Sequence, residues 1–458
     1  LTEARLLALA FLLYGLTAVG LLAVCIPPFQ NPDELNHFRR AEQVANGRLL
    51  AMRFPVAAAD GSPDVTAGGW ADAAVEWAHA PFSALPFHPE RRATAAMWAP
   101  GVKWHGPPML AAFGNTAAYP PLFYVPAALG VLAGRATRAS VVQTLVASRL
   151  LTGLVAVLIA AAGIAAAGAA AVWLFALLTL PMSLELLGAC SQDALVLAAA
   201  AVAGTLALLL LRAPGEAVRA RGLGLAAALI LLAMARPPYA LLGLVPLGLG
   251  GVARRRRLLL AAAPLAGAAL WGGVSALTAY TNIGDRFGTD PGAQLLRLWH
   301  HPARVLGLAA QTLAVNGGWY LEQFVGLLGY LDTKLPGPYH RAALVVLGLA
   351  ALASMLRPRE AGAGRWTRPL VAAAVLLAAA GTFFGIYVTW TAVGRPIVDG
   401  VQGRYFLPLA LAGVAGLPAL GALPLAWPRR MLVAVIMLFP PVTLAVTMQA
   451  IVARYYLG

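Results

Sequence analysis

The sequence predicts an all-α polytopic membrane protein, and three observations carry that prediction. Hydrophobic residues make up 60% of the chain and charged residues only 11%, with a mean hydropathy of +0.76, a balance soluble domains do not reach. Apolar stretches of about 20 residues recur, the length a helix needs to cross the hydrocarbon core. Arginines gather in the short connections between those stretches, at Arg212/Arg219/Arg221, Arg254–Arg257, Arg357/Arg359/Arg365/Arg368 and Arg429/Arg430, where the positive-inside rule looks for the cytoplasm. The net charge of +15 is therefore spread over loops, which does not point to nucleic acid.

Taken in order, residues 5–26 form the first span. No small-residue cleavage site precedes Pro27-Pro28 and further spans follow, so this stretch reads as a transmembrane helix and not as a signal peptide. With the amino terminus cytoplasmic, residues 27–143 become one long first outer loop, and loops of that length are usually functional. Within it, AAYPPLFYVPAALGVLAG (117–134) is apolar but short and broken by proline, and is expected to lie in the interface. Spans follow at about 145–165, 170–187 and up to Arg212. Residues 222–251 have room for two more, separated at Arg236–Ala240, and another covers 258–279. After an outer segment of 280–338, two spans flank the arginines at 357–368 and the last two flank Arg429/Arg430. The arginine clusters thus imply about eleven crossings and an outer carboxy terminus. Two modules are expected, 1–280 with spans one to seven and the first outer loop, and 281–458 with the rest. Cys25 and Cys190 lie in or beside apolar spans without metal-ligand spacing and read as packing residues.

The chemistry is expected where the first outer loop opens, at PPFQNPDELNHFRRAEQVANG (27–47). Asn31 can cap a short helix with Pro32 first and Glu34 third, and Asn46-Gly47 is a matching stop. Asp33 and His37 are four apart and share a face. Asp33 is the candidate base; Glu34, at the third helical position, is either a second catalytic acid or a group folding back on Asn31. Asp193 starts a span, so it is either an N-cap, in competition with Ser191, or another site acid. Asp33, His37 and Asp193 also carry the ligand types of a divalent-ion site, without a supporting spacing. Arg236 and Arg404 are cations at outer helix ends, where an arginine needs a partner or a task, and guanidinium matches phosphate oxygens in a fork.

An ordered set of motifs carries a family resemblance. PDELNH (32–37), YPPLFY (119–124), SQDAL (191–195), GYLD with Leu335-Pro336 (329–336) and GVQGRYFLPL (400–409) run through nearly the whole chain. With them the sequence resembles the DUF2142 family of bacterial membrane proteins, grouped with the GT-C glycosyltransferases. The resemblance implies a GT-C-like fold with a catalytic first extracytoplasmic loop that carries interfacial helices. It implies a sugar donor linked to polyprenyl phosphate, and a glycan or lipid-linked acceptor at the outer face of the bacterial inner membrane. It also implies a catalytic acid in that loop and a second acid in the next outer loop. Arg236, Arg404, Tyr405 and Arg40 are the expected phosphate contacts, and His37, Tyr119, Gln402 and Tyr239 the expected substrate contacts. Membrane lipid is the other expected partner, and no cofactor beyond a divalent metal is considered. Two rival functions are an oligosaccharide ligase or polymerase using a lipid diphosphate, and a lipid or solute transporter. A transporter should place its ionisable groups near the midplane of broken helices, whereas here they gather in the first outer loop and at outer helix ends.

Overall fold

The computed structural model describes residues 2–57, 63–212, 218–281, 288–421 and 426–457. Among them, eight helices are long and apolar enough to cross a membrane: Glu3–Cys25, Val141–Ala166, Asp193–Arg212, Val218–Ala235, Arg254–Thr278, Gly337–Met355, Thr367–Thr389 and Arg429–Tyr455. A ninth candidate is a pair, Gly168–Leu178 and Pro181–Leu187, bent by 81°. The break falls at Pro181, whose ring cannot continue the preceding helix. The chain is thus a helical, multi-span membrane protein. Two further expected spans are present as apolar segments but are short and irregular. Pro237–Gly248 is a 3₁₀ helix with Pro246 inside it, and 403–416 is assembled from Gly403–Phe406, Leu407–Ala412 and Gly413–Gly416. Prolines at both withdraw backbone donors from a regular α ladder.

The first and last spans lie side by side and run the same way. Arg429 Nη2 donates to Glu3 Oε1 at 2.6 Å at one end, and Tyr456 Oη donates to the Cys25 carbonyl at 2.9 Å at the other. The arginine-bearing connections collect at the Glu3 end. Arg429 Nε reaches the Ala353 carbonyl at 3.1 Å, Gly362 N–H bonds the Leu211 carbonyl at 2.8 Å, and Leu249 bridges Ala363. Arg357 pairs with Glu360 at 2.7 Å in the same layer. The clustering of arginine on one face is therefore a property of the folded bundle as well as of the sequence.

The opposite face carries the first long loop, which adds a small sheet to the otherwise helical chain. Met52–Ala57, Pro63–Asp72 and Pro108–Ala112 form an antiparallel sheet in that order, with Met52 opposite Gly68 and Trp70 opposite Leu110. Its alanine- and glycine-rich strands lack a clean apolar alternation, so the usual strand signal is weak. The glycines have a packing reason. A Cβ on Gly68 would lie 2.0 Å from the Ala111 carbonyl oxygen, and one on Gly69 would lie 2.4 Å from Gln43 Nε2, so Gly68-Gly69 lets both the neighbouring strand and the helix Glu34–Ala45 approach closely. The segment expected at the interface is a 3₁₀ turn, Pro121–Tyr124, leading into the helix Val125–Ala136. That helix lies against Val141–Ala166, where Gly130 and Gly134 leave room for Ser148 and Thr144. The segment after Arg254–Thr278 contributes two helices for which the sequence carries no separate expectation, Pro291–His300 and Arg304–Val325.

Candidate functional site

The helix that opens the first loop runs Glu34–Ala45, starting later than expected. Asp33, not Asn31, is its N-cap, with φ 58° and no side-chain capping bond. Aspartate is one of the few residues that tolerates this left-handed conformation. Its carboxylate is thereby free of the helix's own N–H groups and accepts from Asn115 Nδ2 at 2.8 Å. Asn31 donates to Glu34 Oε1 at 2.8 Å, so the expected fold-back of Glu34 is made to the Asn31 side chain. The helix stops at Asn46, followed by Gly47 at φ 73°, as the sequence indicates.

Glu34 and Asp33 are adjacent but point to different environments. Glu34 is fully buried; Arg149 Nε donates to its Oε1 at 2.8 Å, and the Cys190 N–H adds a further bond at 3.0 Å. Arg149 also donates to the Ala23 and Ile26 carbonyls at 2.8 and 2.7 Å, and so closes the end of the first span, whose last carbonyls have no intrahelical partner.

Asp33 faces a cavity of about 360 Å³. Asp193, at the start of its span, accepts from Arg236 Nη2 at 3.0 Å. Arg404 stands between the two carboxylates, 3.8 Å from Asp33 Oδ2 and 3.6 Å from Asp193 Oδ2, and its Nε donates to Gln402 Oε1 at 2.6 Å. The Tyr405 ring supports both cations, with Arg236 Cζ 4.0 Å and Arg404 Cζ 5.6 Å from its centroid. Asp33 keeps 41% of its side chain exposed while Arg404 keeps 5%, so an accessible carboxylate faces a buried guanidinium. At the two longer separations Arg404 is only loosely held, and an anion can compete for its fork.

His37 forms the floor beside Asp33. Its ring stacks with Tyr119 and Tyr124, and Nδ1 is 2.7 Å from the Tyr124 hydroxyl. Burial lowers its pKa below the usual value, outweighing the opposite pull of Asp33 and Asp193. Burial likewise pushes the Tyr119 hydroxyl up to about 12. Both rings are therefore neutral around pH 7.

Of the candidates read from the sequence, Asp33, His37, Tyr119, Asp193, Arg236, Gln402, Arg404 and Tyr405 line this one cavity. Glu34, Arg40 and Tyr239 do not. Glu34 is saturated by Arg149 and Cys190. Arg40 is buried and spent on the Leu49 and Tyr119 carbonyls at 2.8 and 3.0 Å. Tyr239 donates to the Tyr405 carbonyl and supports the wall from behind. The divalent-ion reading of Asp33, His37 and Asp193 also needs correcting: no group of three His, Cys, Asp or Glu among the described residues is placed to hold a metal ion, because Asp193 faces two arginines and His37 Nδ1 faces Tyr124.

Asn115, Gln192 and Trp390 line the cavity and were not singled out. Gln192 stands beside Asp193 in the SQDAL motif, and both polar atoms of its side chain are buried without a hydrogen-bond partner among the described residues. The cavity draws on both expected modules, with Asp33 and Asp193 from residues 1–280 and Trp390 and Arg404 from 281–458.

With that geometry in place, comparison with known proteins identifies the family. The family described as "Predicted membrane protein (DUF2142)" matches residues 16–412, and the chain belongs to it. No curated protein and no solved structure matches the chain.

Proposed function

We propose that this DUF2142 protein is a GT-C type glycosyltransferase, moving a sugar from a polyprenyl-phosphate donor to an envelope glycan or a lipid-linked acceptor at the outer face of the bacterial inner membrane. The observation that carries the reading is the cavity in which the partly exposed Asp33 carboxylate faces buried Arg404, with Arg236 lining the same cavity beside Asp193. Such a transfer needs a base for the acceptor proton and positive charge for the departing phosphate. In the proposed step Asp33 accepts the proton of the acceptor hydroxyl as its oxygen attacks the anomeric carbon. The bond from that carbon to the phosphate oxygen breaks, and the phosphate leaves as a dianion. Arg404 and Arg236 meet the added charge, an interaction stronger in the transition state than before it. Asp193 keeps both guanidinium groups oriented. The attack comes from the face opposite the leaving group, so the anomeric configuration inverts.

The proposed topology completes the eight long helices and the bent pair with the two short segments, Pro237–Gly248 and 403–416, giving eleven crossings. The arginine-rich face is then cytoplasmic and the Asp33 cavity extracytoplasmic. A second reading, a lipid or solute transporter, is favoured by the 81° break at Pro181, since broken helices recur in transporters. Mass analysis of envelope glycans from a deletion strain tests the first reading. A missing sugar, restored by the intact gene and not by the Asp33→Asn variant, is the expected result. Unchanged glycans together with saturable solute uptake by the purified protein would hand the case to the transporter.

A further inference from the structure

We infer that a second site, separate from the Asp33 cavity, holds a phosphate-headed anionic membrane lipid. It lies where the helices Pro291–His300 and Arg304–Val325 meet the outer end of Thr367–Thr389. Two chambers adjoin there, sharing Leu298, Leu308 and Tyr387. The lower, about 280 Å³, is walled by apolar side chains including Val305, Leu313, Phe383 and Phe384. The upper, about 250 Å³, is lined by Arg297, Arg304 and Arg395.

The two chambers are parts of one built structure. Gln294, fully buried, donates to the Tyr387 carbonyl at 3.1 Å and accepts from Gly394 N–H at 3.0 Å, which pins the helix carrying Arg297 to the spanning helix and its following loop. Gly394 has φ +79°, a conformation in which an L side chain is strained, and a Cβ there would lie 3.0 Å from Arg297 Cζ and crowd the guanidinium. Buried Thr312 accepts from Val398 N–H at 3.0 Å and fixes the other wall.

Charge and position identify the occupant. Arg395 pairs with Asp399 at 3.0 Å, whereas Arg297 and Arg304 have no acidic partner among the described residues. The upper chamber therefore presents a positive excess of the kind that binds phosphate through guanidinium forks. It adjoins the apolar chamber across Leu298, Leu308 and Tyr387, at the end of a helix long and apolar enough to span a membrane, the position at which an inserted helix meets lipid headgroups. A soluble anion would use the arginines and leave the apolar chamber unfilled; a neutral lipid would do the reverse. An anionic lipid satisfies both.

The Asp33 cavity lies on another side of the same helix end, where Ile386, Thr389 and Trp390 line it, so the inference stands whether or not the transfer reading does. The test uses the purified, delipidated full chain and native mass spectrometry, titrating dioleoyl phosphatidylglycerol against dioleoyl phosphatidylcholine. One phosphatidylglycerol should be retained roughly tenfold more tightly than phosphatidylcholine, as a pair of charge-assisted contacts implies. Arg297→Gln/Arg304→Gln should abolish that preference, and Ala380→Trp, filling the apolar chamber, should remove the bound lipid; thermal unfolding of each variant checks its fold. Equal retention of both lipids, or an unchanged preference in the double arginine variant, would mean non-specific boundary lipid and overturn the inference. Full competition by glycerol 3-phosphate would overturn it in favour of a soluble-anion site, and a groove-dependent dimer in favour of a second copy of the chain.

Discussion

Glu34 and Arg149, 115 residues apart in the chain, form a buried ion pair directly behind the cavity wall that carries Asp33. The pair joins the end of the first span, the start of the Glu34–Ala45 helix and the backbone at Cys190 just ahead of Asp193. Breaking one side of such a pair leaves a buried charge without its counter-charge and costs about 3–5 kcal/mol. Arg149→Met should therefore lower thermal stability sharply, and Glu34→Gln less, because an amide still accepts from Arg149. Combining the two should cost less than the sum of the singles. Additive losses in thermal unfolding of the four proteins would show that the pair is not coupled.

Asp33→Asn should fold normally, since the side chain is partly exposed and makes one hydrogen bond, to Asn115. If Asp33 is the base, transfer from a lipid-linked sugar falls at least about a hundredfold. A variant with wild-type turnover would move the role to Asp193, because Glu34 is enclosed.

Arg404→Lys keeps the charge and loses the planar fork that now reaches toward Asp33, Asp193 and Gln402 together. A charge-assisted hydrogen bond is worth roughly 1.5–3 kcal/mol. If the chain is the proposed transferase, the donor concentration for half-maximal rate should rise and kcat should fall, the second because the phosphate gains charge in the transition state. Steady-state kinetics with the lipid donor distinguishes this from a pure KM effect, which would mean that Arg404 binds without stabilising the leaving group.

Two groups on the Glu34–Ala45 helix should give stability opposite pH dependences. His37 has a lowered pKa because it is buried, so its contribution is present above about pH 6.5 and is lost as pH falls through the lowered value. Glu42 is raised from 4.5 to about 7, chiefly by burial and against the Asp72 N–H and Arg135. Its contribution is complete below pH 4.5 and is lost as pH rises through about 7, a swing of roughly 3 kcal/mol. Glu42→Gln, which resembles the protonated acid, should flatten the decline between pH 4.5 and 7 in a Tm–pH profile. His37→Gln should flatten the acid limb only. Identical profiles in all three proteins would dismiss both assignments.

Sidedness is tested by single cysteines in a chain with Cys25 and Cys190 replaced by serine. His88, half-exposed on the cavity side, should react with an impermeant maleimide in intact cells when changed to cysteine. Gly364, where a side chain meets open space on the arginine-rich face, should react only after permeabilisation. The reverse pattern would put the Asp33 cavity in the cytoplasm.

The sequence by itself determined the membrane class, the position of the long apolar helices and the arginine-rich face, because length, hydropathy and loop charge are local quantities that a lipid bilayer enforces segment by segment. It also pointed to Asp33, Asp193, Arg236 and Arg404, since each is an ionisable group at the end of an apolar stretch and needs a reason to be there. Tertiary structure decided what those groups face. Asp33 and Glu34 are neighbours with the same chemistry, and only the left-handed turn at Asp33 and the arrival of Arg149 sent one to the cavity and buried the other. The sheet that contains Trp70 packs as it does because Gly68 and Gly69 allow close approach of the Ala111 backbone and the Gln43 side chain, both more than 20 residues away, and no short window along the chain contains that information. Arg297 and Arg304 belong to none of the motifs in the sequence; packing against Thr367–Thr389 is what sets them beside an apolar chamber. In each case the deciding energy belongs to a contact between distant segments, and that contact exists only once the bundle is assembled.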